Sequence, residues 1–195
     1  ALACAPFRRL NLCNKNFPNM NSNDSSKAKH KLLAEVCYAA KFEAQSLIRY
    51  HDQHHVTNPD SQICTVLARS FADIGDIIRG KDLFLGHKQR KKKLEERLEQ
   101  MFKNIRNENN NLGKLSNEQV REYWWEANRE TVWKAITCGA HGSYFHATCS
   151  DRNGGCSQAN NKCRCPKTSD GKPNDQVPTY FDYVPQFLRW FEEWA

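Results

Sequence analysis

Apolar residues recur at steps of three and four positions along five segments of this 195-residue chain. This spacing places them on one face of an α-helix and therefore predicts five amphipathic helices. The first helix is expected to start after Ser25 or Ser26 and to end near His54, and the second to run from Asp60 to Gly80. The third is expected at residues 87–107. The fourth starts at the capping box of Ser116 and Gln119 and reaches Cys138, and the fifth starts at Pro185. The fold class that follows is all-α, a helical bundle.

Aromatic residues are dense in the last two predicted helices. Trp124, Trp125 and Trp133 lie in the fourth, and burial in the core is favoured over a binding surface because aromatic residues at helical spacing are mostly core. The last helix is expected to pack its whole apolar set against the first four: Phe187, Leu188, Trp190, Phe191 and Trp194. Gly75 costs a helix about 1 kcal/mol relative to alanine, so it indicates close packing or a bend in the second helix.

Nine cysteines in a polar chain indicate disulfide bonds formed in an oxidising compartment. Five of them fall between Cys138 and Cys165, in a long polar interval that is rich in glycine and proline and has no sustained period. The bundle is thus expected to be braced by disulfides and to carry a long, partly stapled loop. The chain has no signal peptide pattern and no apolar stretch of about 18 residues.

Basic residues are concentrated at the start of the third predicted helix. The formal net charge is +7, and residues 88–106 hold eight Lys or Arg against three Glu. A focused positive patch attracts sulfated or sialylated acidic ligands, which makes these residues candidate ligand-binding residues: Lys88, Arg90, Lys91, Lys92, Lys93 and Arg97. The alternative is a solvated helix face with i,i+4 pairs between Lys91 and Glu95 and between Lys92 and Glu96.

Other functional classes have little support in the sequence. His51 and His55 lie one turn apart and are the only arrangement that suggests a metal-dependent hydrolase, but the HEXXH signature is absent. The cysteine spacing differs from that of structural zinc sites, and the expected disulfides argue against a nucleic acid partner. There is no nucleophile elbow, phosphate-binding glycine loop or nucleotide fingerprint. We therefore expect no catalytic residues, no metal and no cofactor.

Five segments together resemble one known family. They occur in the same order along the chain: CAPFRRLNLC at 4–13, LLAEVCYAAKFE at 32–43, SFADIGDIIRGKDLF at 70–84, YWWEANRETVWKAITC at 123–138 and FLRWFEEWA at 187–195. The chain resembles the Duffy-binding-like domain of malaria-parasite surface adhesins, and especially the alpha class of the variant erythrocyte membrane protein family. The resemblance implies a piece of a longer protein. Residues 1–24 would be the extended end of a first subdomain, and residues 25–195 a helical second subdomain with a variable loop at 140–183.

The resemblance also implies a disulfide pattern. It pairs Cys37 with Cys138 and Cys64 with Cys165. It places the partners of Cys4 and Cys13 upstream of this chain and leaves Cys149, Cys156 and Cys163 unassigned.

The function that the resemblance implies is adhesion to host cells. Expected partners are glycans of the heparan type or glycoproteins on host erythrocytes and endothelium, as in rosetting and cytoadherence. Antibodies and neighbouring domains of the same adhesin are further expected partners. The implied location is the extracellular face of the infected host-cell membrane, as part of a transmembrane protein anchored elsewhere. The alternative is an antigenically variable scaffold domain that orients a neighbouring receptor-binding module.

Overall fold

The computed structural model describes residues 4–21, 26–55, 62–86, 88–150, 156–167, 171, 174 and 176–195, without the side chains of 52–55. Six α-helices form the framework: α1 (Phe7–Leu10), α2 (Ala28–His55), α3 (Ile63–Arg79), α4 (Lys88–Glu108), α5 (Asn117–Ile136) and α6 (Gln186–Trp194). A two-stranded antiparallel hairpin joins β1 (Cys149–Ser150) to β2 (Cys156–Ser157). The all-α prediction and all five long helices are confirmed. None of the described helices combines the length and the apolar content needed to cross a bilayer.

Local sequence signals set several helix ends. The Ser116 side chain accepts from the backbone N–H of Gln119, whose own side chain accepts from the Ser116 backbone, so the predicted capping box opens α5. Gly80 ends α3 in the left-handed conformation with φ 75°. Pro185 precedes α6. Within the predicted extended segment 1–24, the structure adds the short helix α1 and a 3₁₀ turn at Phe17–Asn19.

Helix α3 lies at the centre of the bundle, packed between α2 and α5 and buried along almost its whole length. The Phe71 ring lies 5.1 Å from the Trp125 ring and 5.2 Å from the Trp133 ring, measured between centroids. Trp124, Trp125 and Trp133 are all buried, which confirms their assignment to the core. Gly75 allows this packing, because a Cβ at that position would lie 2.7 Å from the Trp125 ring.

The packing of α6 differs from the expectation. Only Trp190 of its five large apolar residues is buried, and the rest are exposed by about half or more: Phe187, Leu188, Phe191 and Trp194. The buried side of α6 is instead polar, with Gln186 and Arg189 turned towards α3. Carboxylates buried in α3 select these polar residues, so the apolar face of α6 points away from the bundle.

Two disulfides hold the late segment, and they correct the predicted pairing. Cys64 of α3 is bonded to Cys163, not to Cys165, and Cys165 is bonded to Cys149 in the hairpin. The physical reason is a run of left-handed backbone at residues 161–163, with φ of 43°, 54° and 55°. This turn directs Cys163 towards α3 and Cys165 towards the hairpin.

The predicted bond between Cys37 and Cys138 is also wrong for this structure, where both are free thiols. Gly139, next to Cys138, faces Ile48, since a Cβ on that glycine would lie 3.7 Å from Ile48 Cδ1. Ile48 lies ~16 Å further along α2 than Cys37, at ~1.5 Å per residue. A disulfide requires Cα atoms within about 7 Å of each other, so Cys37 is not opposite Cys138.

Candidate functional site

The basic residues singled out from the sequence lie on the first half of α4. That helix buries Leu98, Met101, Phe102 and Ile105 on its inner side, and Phe102 meets Trp124 of α5 edge-on at 6.0 Å between ring centroids. Arg121 of α5 donates to the carbonyls of Ile77 and Ile78 and pairs with Glu95 at 3.2 Å. Helix α4 is therefore fixed to both α3 and α5, and its N-terminal turns project a defined surface.

Two of the six candidate ligand-binding residues have structural roles instead. Lys91 Nζ donates to the carbonyl oxygens of Asp82 and Phe84 at 3.0 and 2.9 Å, which fixes the connection between α3 and α4. Arg97 donates to the carbonyl of Met20 at 2.5 Å and so holds the N-terminal segment. Both side chains are only partly exposed. The predicted pair of Lys91 with Glu95 is wrong, because these backbone carbonyls attract the lysine and Glu95 pairs with Arg121.

The other four candidates, Lys88, Arg90, Lys92 and Lys93, form an exposed cluster that we term the α4 basic patch. Lys92 makes the predicted pair with Glu96, at 3.9 Å, yet its side chain remains 80% exposed. The remaining three make no ion pair or hydrogen bond with another described residue. No acidic residue occupies the first turn of α4. The patch is therefore a cluster of cations whose charges are available to a ligand.

An open depression of about 580 Å³ adjoins this patch and is lined by Gly86, Lys88, Gln89 and Arg90. Three of its four lining residues carry charged or amide side chains and the depression is open to solvent, so it is accessible to a hydrated charged group. Lys88, Arg90 and Lys93 present donors that no carboxylate among the described residues occupies, while Glu96 pairs with Lys92, so the first three are capable of holding a carboxylate or a sulfate.

The structure does not support a metal site at His51 and His55. His51 is half-buried near the end of α2, and the His55 side chain lies outside the described part. No group of three or more His, Cys, Asp or Glu suited to a metal ion occurs among the residues that the structure describes.

A buried ionic network joins α3 to α6 and to the N-terminal segment, and no pattern in the sequence predicted it. Asp73 accepts from Arg8 at 2.6 Å and from Arg189 at 2.8 Å, while Asp76 accepts from Arg189 at 2.5 Å and from Arg79 at 3.0 Å. Burial tends to raise the pKa of Asp73, but the two arginines outweigh it and hold that pKa below its usual range.

The pKa of Asp76 is shifted in the opposite direction. Burial raises the pKa of its carboxyl to about 6 in spite of Arg189 and Arg79. A cavity of about 330 Å³ opens beside it, lined among others by Arg79, Tyr183 and Phe187. The polar groups of its floor bond to one another, so their arrangement is explained by the contact between α3 and α6.

Comparison with known proteins identifies the family. The family model for the Duffy binding domain matches residues 2–189. The chain belongs to the Duffy binding domain family. This Duffy binding domain resembles the crystal structure of the NTS-DBL1(alpha-1) domain of Plasmodium falciparum membrane protein 1 (PfEMP1) from the varO strain, with 39% identity and a TM-score of 0.76. The resemblance to the alpha class is thereby confirmed. The match covers 98% of this chain and 43% of that structure, so the chain spans less than half of its relative's length.

Two further structures show how widely the Duffy binding domain fold is shared. The ICAM-1-binding DBLbeta domain of a PfEMP1 protein is 34% identical, with a TM-score of 0.64 and coverage of 96% of this chain and 41% of that one. Plasmodium falciparum erythrocyte binding antigen 140 is 25% identical, with a TM-score of 0.55 and coverage of 98% and 25%. A search of curated proteins gave no significant match.

Proposed function

We propose that this Duffy binding domain is part of an adhesin on the surface of infected erythrocytes and that it binds an anionic glycan, of the heparan type or on a host glycoprotein, through the α4 basic patch. The observation that carries the proposal is the set of exposed cations Lys88, Arg90 and Lys93, which have no acidic partner among the described residues. Such a set costs a helix N-terminus stability, because the helix dipole is positive there. A ligand that supplies the missing negative charge explains its placement.

Two further points support this proposal. The patch lies on a helix whose inner face is fixed by aromatic packing, so the backbone that carries its cations keeps its position without a ligand. A related DBLbeta domain is described as ICAM-1-binding, which supports receptor binding by the family's fold, with a different receptor. Binding would require no catalysis and no cofactor.

Retention on heparin tests the proposal. The disulfide-intact domain is compared with the variant Lys88→Gln, Arg90→Gln, Lys93→Gln and with a control that loses the same charge elsewhere, Lys15→Gln, Lys29→Gln, Lys114→Gln. At about 1 kcal/mol or less for each exposed contact, the patch variant should lose about 10- to 100-fold in affinity. Binding should also weaken steeply as salt rises. Equal losses in both variants would contradict a specific role for the patch.

The scaffold role is the second candidate, and the exposed apolar face of α6 favours it. One face of α6 leaves four large apolar side chains about half or more exposed, and an apolar face of this kind marks a contact surface. They are Phe187, Leu188, Phe191 and Trp194. A domain that orients a neighbouring module needs such a surface for contact. Unchanged heparin retention in the patch variant, together with no binding to red cells, would favour this candidate.

A further inference from the structure

A second exposed surface lies on α2, away from the residues that the sequence singled out. It consists of seven residues that follow one another at helical spacing along one side of the helix: Lys31, Ala34, Tyr38, Lys41, Phe42, Gln45 and Arg49. We term it the α2 stripe. Two large rings stand at its middle, with Tyr38 56% exposed and Phe42 54% exposed. Single exposed apolar residues are ordinary, but two adjacent aromatic rings on one helix face indicate a contact surface.

The charge of the α2 stripe has one sign. It contains three cations, Lys31, Lys41 and Arg49, and no carboxylate. The acidic residues that flank it on the same helix face elsewhere. Glu35 accepts from the Asn16 side chain at 2.7 Å, and the buried Glu43 accepts from the Cys13 backbone at 2.8 Å and from Ser70 at 2.7 Å. The stripe therefore presents aromatic rings within a positive field.

We infer that the α2 stripe docks an acidic amphipathic helix of a protein partner. Between Lys31 and Arg49 the stripe extends ~27 Å at ~1.5 Å per residue, which is the length of a helix of about five turns. Carboxylates of the partner would meet the exposed cations Lys41 and Arg49, and apolar side chains would cover Tyr38 and Phe42.

The two aromatic rings favour a protein helix over a sulfated glycan as the ligand of the α2 stripe. A sulfated polymer gains from the cations but buries little apolar surface, and the Phe42 ring offers it neither a donor nor an acceptor. An apolar helix side chain gains about 25 cal/mol for each Å² of ring that it covers. The two exposed rings thus favour protein over glycan, in contrast to the α4 basic patch, which has no aromatic residue.

Two synthetic 21-residue helical peptides provide the test. Both carry leucine along one face, flanked by glutamate in the first and by lysine in the second, and each is labelled for fluorescence anisotropy. The domain should bind the glutamate peptide at least tenfold more tightly than the lysine peptide. Both the ring variant Tyr38→Ala, Phe42→Ala and the charge variant Lys41→Gln, Arg49→Gln should weaken binding at least tenfold.

The control is Tyr123→Ala, which removes a 61% exposed tyrosine from α5 and should change the affinity by less than twofold. Circular dichroism and thermal unfolding confirm that each variant is folded. Failure of the domain to prefer the glutamate peptide, or unchanged binding by the ring variant, would overturn the inference. Loss of heparin retention in the ring variant would assign the stripe to a glycan instead. Loss of heparin binding by the α4 patch variant leaves this inference untouched, so the two proposals fail separately.

Discussion

The helical core and the late segment from residue 137 to residue 184 are stabilised in different ways. The core buries rows of large apolar side chains, with α3 enclosed between α2 and α5. The late segment buries few large apolar side chains among its described residues, Tyr144 and Val177 being the main ones. It is held by two disulfides and by scattered hydrogen bonds, such as Trp133 Nε1 to the carbonyl of Cys163 at 3.1 Å.

This contrast shows which substitutions each region tolerates. In the core, large side chains are closely packed against one another, so a substitution that changes side-chain volume forces the neighbouring residues to shift or leaves a cavity. In the late segment the constraint is concentrated in a few covalent anchors, Cys64, Cys149, Cys163 and Cys165. The polar positions between those anchors are less constrained by packing, so we expect most of them to tolerate substitution while the path of the chain is kept.

Removing the disulfide between the two regions should have the largest effect. The bond from Cys64 to Cys163 closes a loop of 99 residues, whereas the bond from Cys149 to Cys165 closes one of 16. Loop-closure entropy predicts losses of about 5 and about 3 kcal/mol in the free energy of unfolding. The variant Cys64→Ala, Cys163→Ala should therefore unfold at a lower urea concentration than Cys149→Ala, Cys165→Ala. The reverse order would show that the late segment has a stability of its own.

The polar contact between α3 and α6 should respond to pH. Asp76 has a pKa of about 6 in the folded protein and about 4 when unfolded, so the folded state binds the proton more tightly between these values. Its contribution to stability is then complete below pH 4 and is lost as the pH rises through 6. The free energy of unfolding of the wild type, minus that of Asp76→Asn, should fall by about 2 kcal/mol from pH 4 to pH 7.

Asp73 provides a matched control for this titration. Its pKa is lowered in the folded protein, so the stability that it contributes is present above its unfolded value and is lost as the pH falls. The same difference measured with Asp73→Asn should therefore rise with pH. Urea unfolding at several pH values measures both differences, and slopes of equal sign would contradict the opposed burial and charge effects described for these two carboxyls.

Sequence reasoning succeeded where the signal is local. Helical spacing located the five long helices, and the capping box at Ser116 and the glycine at 80 set their ends, because these signals act within a few residues of the chain. It failed where distant groups decide the outcome. The apolar face of α6 points outward because Asp73 and Asp76 bind Arg189 from the opposite side. Such a buried ionic contact leaves no trace in a hydrophobic pattern.

The difference between local and distant signals also explains which features of the candidate site and of the disulfides could be predicted. The composition of the α4 basic patch was visible in the sequence, but the use of Lys91 and Arg97 as structural donors depends on carbonyls brought there by other segments. Cys163 and Cys165 are two positions apart, and the left-handed turn that directs them to different partners occurs at residues that are not glycine. The α2 stripe was missed because its rings are spaced like core residues.

The smallest effect expected here tests how tightly the core is packed. A Cβ added at Gly75 would lie 2.7 and 2.8 Å from atoms of the Trp125 ring, which is buried and donates to Asp182 at 2.9 Å. Because this ring has little freedom to move, Gly75→Ala should cost about 1–3 kcal/mol, even though alanine favours a helix. Gly139→Ala is the control, since its Cβ would meet only Ile48 at 3.7 Å and should change stability by about 0.5 kcal/mol or less.

A double-mutant cycle distinguishes the clash from a general loss of backbone freedom. Trp125→Phe removes the ring atoms that the new Cβ would meet, so Gly75→Ala should cost at least about 1 kcal/mol less in that background than in the wild type. Urea unfolding of the four proteins gives the coupling energy. A coupling near zero would mean that the core around α3 relaxes readily, and the contrast between a rigid core and a covalently anchored late segment would then no longer hold.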